Sequence, residues 1–192
     1  MTCTSAPPGP AAALADFAQR FGPYPWPALT VALTPELSGG IEFPSHVMQG
    51  SGSLGRTTPH EVAHQWFYGL VGNDQGRDPV LDEGLASYAE GRHEGTLEGF
   101  AAVTVPFGAA GRAGEPMTYW EDRLDQYYLG VYAQGAQALA AVGPPDVVDC
   151  GLRRYVAANA HRLATQADLV AAMATVVPDA ATTLARYGIG TG

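Results

Sequence analysis

Thr58-Pro59-His60-Glu61-Val62-Ala63-His64 and, one loop later, Asp78-Pro79-Val80-Leu81-Asp82-Glu83 open two helices in succession. In each, a proline suits the first helical position behind a capping Thr58 or Asp78. The first helix is predicted from Thr58 to about Val71, ending at Gly72. The second is predicted from Pro79 to about Glu90, with Gly91 as its stop and Asn73 to Arg77 joining the pair. His60 and His64 lie one turn apart on a shared face, so their imidazoles can hold one metal ion. Glu61, beside them, can take a proton from water activated by such an ion. The pattern is rare by chance in a chain with five histidines. The competing reading is a helix with incidental surface His and Glu. A catalytic zinc takes three protein ligands. Glu83, nineteen positions after His64, is the candidate third, because a helical hairpin of this size can bring it against the pair. Taken alone, a carboxylate in a first helical turn reads as one favoured by the helix dipole.

Outward from this stretch, the chain divides into a sheet-forming part and a helical remainder. Residues 1–10 are rich in Pro, Ser and Thr and predict a flexible lead-in. Leu14, Phe17, Ala18 and Phe21 recur at helical spacing, so 11–21 is a helix. Leu29 to Leu33 is a β-branched apolar run and predicts a strand. Ile41 to Val47 predicts a second strand, of edge type because Pro44 interrupts it. Gln49 to Arg56 reads as loop. Downstream, 95–116 carries no clear pattern. Tyr119 to Val142 is helical with a break at Gly130, and 146–159 and 166–176 are two further helices. The expected fold class is α+β and mostly helical: a single domain over 11–192, sheet-bearing at about 11–57 and helical at about 58–192.

Composition excludes several functions. The 192 residues carry a net charge of −9, and all ten basic residues are Arg. Phosphate neutralisation needs a basic face, so no nucleic-acid partner is expected, nor docking on anionic lipid. No apolar run reaches the length of a membrane span. The opening residues show neither a basic nor an apolar signal region, so no intact signal peptide is expected. Cys3 and Cys150 are too few for a disulfide framework or a thiolate zinc site.

The His60-Glu61-x-x-His64 motif with Glu83 inside Leu81-Asp82-Glu83-Gly84-Leu85-Ala86 resembles the gluzincin metallopeptidases. The match is to the membrane alanyl aminopeptidase family, which includes aminopeptidase N and leukotriene A4 hydrolase. Three more segments agree in order. Gly39-Gly40-Ile41-Glu42 is similar to the family's Gly-x-Met-Glu-Asn element. Tyr132-Ala133-Gln134-Gly135-Ala136 resembles Tyr-x-Lys-Gly-Ala, and Phe21-Gly22-Pro23-Tyr24-Pro25 resembles Phe-Gly-x-Tyr-Pro. The resemblance covers about residues 14–177. Ile41 replaces Met, Phe43 Asn, Gln134 Lys and Val80 Trp.

The resemblance implies a thermolysin-like zincin fold, one zinc ion on His60, His64 and Glu83, and Glu61 as the base. It implies Tyr132 as the oxyanion donor, and Glu42 as the group that holds the substrate's α-ammonium, with Gly39 and Gly40 lining the bound peptide. The partner is then a peptide with a free N-terminus. Family members carry flanking domains before and after this one. Glu90, seven positions after Glu83 on one helix face, is a candidate partner for a zinc-bound imidazole, or else a solvated helix end. Two alternatives stand beside the aminopeptidase reading: a gluzincin endopeptidase, and a domain that binds zinc or peptide with little turnover. Tyr127 and Tyr128 line the cleft or pack the core. Trp66 and Phe67 belong to the core, and Asp82 is expected to hydrogen-bond rather than to ligate. His46, His93 and His161 are expected at the surface.

Overall fold

Pro10 opens α1 (Pro10–Phe21) in the computed structural model, which describes residues 9–55 and 57–190. Of the expected lead-in, residues 1–8 lie outside the described residues. Pro10 is a correction to it, because a fixed φ near −65° pre-organises the first helical turn. Ala13, Phe17 and Phe21 form one buried stripe along α1.

A three-stranded sheet follows. Strand β1 (Thr30–Thr34) runs parallel to β3 (His46–Gly50), and β2 (Gly40–Ile41) pairs antiparallel with the other side of β3. The single strand expected over Ile41 to Val47 is therefore two. Pro44 lacks an N–H for the ladder and sits in the turn between them, which the bond from His46 N–H to the Phe43 carbonyl closes. The strand after it is central, not an edge. Gln49 on β3 is fully buried. Its amide nitrogen lies within hydrogen-bond distance of the Gly39 carbonyl, Ser53 Oγ and Thr57 Oγ1, which ties β2 to the start of the next helix.

Helix α2 spans only Thr58–Ala63, with Thr57 at the cap position and Pro59 second in the helix. It stops short of the Val71 that the sequence predicts. Beyond His64 the N–H groups of Gly69, Leu70 and Val71 instead reach five residues back, to His64, Gln65 and Trp66, and Tyr68 takes φ 104°. Tertiary packing overrides local propensity here. Trp66 and Phe67 both enter the core against α1, with ring centroids 6.0 Å from Phe17 and 5.0 Å from Phe21 respectively. Gly72 begins β4 (Gly72–Asn73), which pairs with β5 (Leu163–Ala164); the sequence pattern predicts neither strand.

The second helix of the hairpin also differs. Pro79–Leu81 is a single tight turn, and α3 runs Glu83–Glu94, capped by Gly95 at φ 70°. Gly91 lies inside α3 and does not stop it. Its bare Cα receives α4 (Leu97–Ala102), where an added Cβ would come within 3.1 Å of the Phe100 ring. The stretch expected to be helical from Tyr119 divides into α5 (Met117–Trp120), α6 (Leu124–Tyr127), a π-helical segment (Tyr128–Ala133) and α7 (Gln134–Val142). Gly130 lies in the π segment, against the six-membered ring of Trp120. Helices α8 (Pro145–Asn159), α9 (Gln166–Ala174) and α10 (Ala180–Ala185) complete the chain. The architecture is α+β and mostly helical. Among the described residues no helix is long and apolar enough to cross a membrane.

Helices α3 and α7 cross at Gly84 and Gly135. A Cβ on Gly135 would sit 2.6 Å from Gly84 Cα, and Val80 Cγ2 fills the space beside both. The obstacle is backbone and cannot rotate aside. Gly135→Ala should therefore cost about 3 kcal/mol of overpacking, offset by about 1 kcal/mol of helix propensity. The expected outcome is a melting temperature lower by about 4–8 °C, read by circular dichroism. An unchanged melting curve would contradict the crossing.

Candidate metal centre

The chain brings His60, His64, Glu83, Glu61, Glu42, Gly39, Gly40, Glu90 and Tyr132 to one cleft of about 280 Å³, with Ser38, Thr57 and Tyr128 completing its wall. Helix α2 supplies His60 and Glu61, with His64 at its C-terminal cap. The first residue of α3 supplies Glu83. Asp82 joins the turn Pro79–Leu81 to α3 in helical conformation, and Glu83 reaches both histidines of the α2 segment.

His60 Nε2 lies 3.1 Å and His64 Nε2 3.4 Å from Glu83 Oε2. Donors about 2.0–2.1 Å from a tetrahedral ion sit about 3.3–3.4 Å apart. The spacing of the three side chains is therefore compatible with one metal ion. The outer imidazole nitrogens are also held. His60 Nδ1 lies 3.2 Å from Glu90 Oε2, and His64 Nδ1 lies 2.7 Å from Asp82 Oδ1 and 3.2 Å from the Phe67 carbonyl. Without an ion the Nε2 atoms meet the Glu83 carboxylate as donors; a neutral imidazole held in this way would carry its proton on Nδ1 and offer Nε2 to a metal. Asp82 is almost fully buried, and its other oxygen accepts from the Gln75 amide.

Negative charge dominates the site. Burial disfavours charge on His60, yet the Glu83 and Glu90 carboxylates outweigh it and push its pKa up to about 9. Burial acts the same way on His64, where Asp82 outweighs it and raises the pKa. Burial raises Glu83, but the two imidazoles outweigh this and hold it well below the usual carboxylate range. Such a cluster favours a cation.

Burial alone dominates Glu61, whose carboxyl is pushed up to about 7. It is packed against β2: a Cβ on Gly40 would lie 2.3 Å from Glu61 Cδ, so only glycine admits this side chain. The carboxylates of Glu42 and Glu61 and a His64 nitrogen all lie within 4.8 Å of one another. Tyr132 stacks on His60 with ring centroids 5.6 Å apart and planes at 10°. Burial, then the neighbouring Glu83 charge, raises its hydroxyl pKa, so it remains a neutral donor.

The other aromatic and histidine positions separate. Tyr128 is 55% exposed and lines the cleft, whereas Tyr127 packs edge-on between Trp120 and Tyr132. His46 and His161 are exposed. His93 is a correction to the surface expectation: it is half-buried, 3.1 Å from Asp16 Oδ2 and edge-on to Phe17. Gln134, which stands where the resembled family has Lys, is buried. Its amide donates to the Ala109 and Gly130 carbonyls and accepts from Gly111 N–H. The Gly84–Gly135 crossing leaves no local sequence signal.

No family model matches the chain. Rat and human aminopeptidase B are each 35% identical over 108 residues, 52% of this chain and 16% of the relative. Leukotriene A-4 hydrolase of Xenopus laevis is 34% identical over 86 residues, 41% of this chain and 14% of its own length. An M1 zinc metallopeptidase from Deinococcus radiodurans superposes with TM-score 0.78 at 26% identity, covering 100% of this chain and 46% of that one. Yeast LTA4 hydrolase shares the fold with TM-score 0.69 over 91% of this chain. The chain thus spans about a sixth of the length of its curated relatives and under half of the Deinococcus structure.

Proposed function

We propose that this chain, built as the catalytic domain of an M1 zinc metallopeptidase, removes amino acids from the free amino terminus of peptides. One observation carries the reading. Three donors at ion-binding distances share a cleft with a buried carboxyl, a second carboxylate and a neutral tyrosine hydroxyl. His60, His64 and Glu83 would hold zinc, which when bound supplies Lewis acidity toward water and toward a peptide carbonyl. With an ion bound, Glu90 beside His60 and the Phe67 carbonyl beside His64 would hold the proton on Nδ1 and leave Nε2 for the metal. Glu61 takes the proton from the attacking water and returns it to the leaving amine. Tyr132 donates its O–H to the oxygen on which negative charge develops. Glu42 closes one end of the cleft and accepts from the substrate's ammonium, so cleavage follows the first residue. Gly39 and Gly40 line the cleft, where their backbone would meet the bound peptide, while the bare Cα of Gly40 gives its space to Glu61.

The test compares a peptide with its N-acetylated form, using zinc-loaded protein. The free peptide should be shortened by one residue per turnover and the acetylated one left intact. Chelation should abolish the reaction and one equivalent of zinc restore it. Equal rates on the two peptides would remove the role given to Glu42 and favour an endopeptidase.

A further inference from the structure

Asp149 on α8 lies outside the cleft and is nonetheless the most heavily bonded carboxylate among the described residues. Its side chain is only 9% exposed. Arg20 Nη1 of α1 donates to its Oδ2 at 2.7 Å. Arg92 of α3 approaches as a fork, with Nη2 2.8 Å from Oδ2 and Nε 3.2–3.3 Å from the two oxygens. The Tyr88 hydroxyl, also on α3, lies 3.1 Å from Oδ1 and from the Pro145 carbonyl.

Tyr88 and Arg92 are four residues apart and share one face of α3. Glu83 and Glu90 are seven apart and share another, about 140–180° round the helix. Helix α3 is thus two-sided, with carboxylates toward His60 and His64 and a clamp on Asp149 behind. Helix α1 joins the two halves. It holds Asp149 through Arg20, and it holds His93 of α3 through Asp16, which itself accepts from Arg20 Nε. It also packs Phe17 and Phe21 against Trp66 and Phe67, the residues that follow His64. The elements carrying the histidines and the glutamate are therefore referenced to one frame.

We propose that Asp149 is a positioning residue that sets the distance from Glu83 to the histidine pair and thereby the affinity of the site for zinc. The inference rests on the reading of His60, His64 and Glu83 as zinc ligands. Asp149→Asn keeps the shape but removes the charge that two half-buried guanidiniums share, and α3 is then free to shift or rotate. The experiment is a zinc titration against a chromophoric chelator, at a temperature where circular dichroism shows each variant folded. The full chain is used throughout. Asp149→Asn should weaken zinc binding about tenfold or more. Arg92→Lys, which keeps the charge but loses the fork, should weaken it less and in the same direction. It also serves if Asp149→Asn does not fold. Asp146→Ala removes a 96% exposed carboxylate that also contacts Arg92 and should change nothing.

A lowered melting temperature with wild-type zinc affinity in Asp149→Asn and Arg92→Lys would overturn the proposal, leaving the clamp a purely structural device. Wild-type protein that holds zinc but cleaves no peptide overturns the functional reading alone, since the affinity comparison still stands. Wild-type protein that holds no zinc overturns both.

Discussion

Glu61→Gln is expected to remove peptide hydrolysis while zinc stays bound at one equivalent per chain. The amide is nearly isosteric and can occupy the same pocket against Gly40, where the Glu61 carboxyl already lies in the space a Cβ would take. What it loses is the ability to accept a proton. A positioned base contributes about 10²–10⁴ in rate. Glu42, the nearest other carboxylate on that side, would be occupied by the substrate ammonium and cannot substitute. The measurement is the rate on an aminoacyl-arylamide, with metal content by atomic absorption on the same sample. Turnover within tenfold of wild type would remove Glu61 from the reaction. Zinc bound in the wild type with no Glu61-dependent turnover on any peptide would leave only the binding-domain alternative.

Tyr132→Phe should lower kcat by about 10²–10³, the loss that follows removal of one preorganised oxyanion donor, with KM little changed. The ring contacts that hold this position do not involve the hydroxyl. A phenylalanine ring here would keep the stack on His60 and the contacts to Tyr127 and Tyr128, so melting temperature and zinc affinity should stay at wild-type values. The π-helical segment Tyr128–Ala133 makes this residue reach the cleft. One wide turn re-aims Tyr132 toward Glu83 between two regular helices, a use to which such bulges are often put. A rise in KM alone, with kcat unchanged, would show that the hydroxyl does not meet developing charge.

The residues of this site are legible in the sequence to different depths. His60 and His64 follow from helix geometry, because positions four apart must share a face wherever the helix lies. Glu83 follows only as a plausible third ligand, because a hairpin can close in several ways. Glu42 and Tyr132 come from the resemblance of short segments, since nothing in their own surroundings distinguishes them from other acidic or aromatic residues. Asp82 is readable as a hydrogen-bonding group but not as the neighbour of His64, and no pattern announces the Gly84–Gly135 crossing or the three-way bonding of Asp149.

The same division holds for the elements. Helix starts at Pro59 and Pro79 are readable to within a few residues, because proline restricts its own φ whatever surrounds it. Helix ends are not. Helix α2 stops early because Trp66 and Phe67 are drawn into the core by α1, and α3 runs past Gly91 because α4 needs a bare Cα there. Local order along the chain thus specifies the mostly helical α+β class, the His pair and the acidic character of the site. The distances that let those groups act together depend on packing between segments as far apart as Arg20, Arg92 and Asp149. Long-range packing is chosen by the whole core at once, and no single stretch of sequence encodes it.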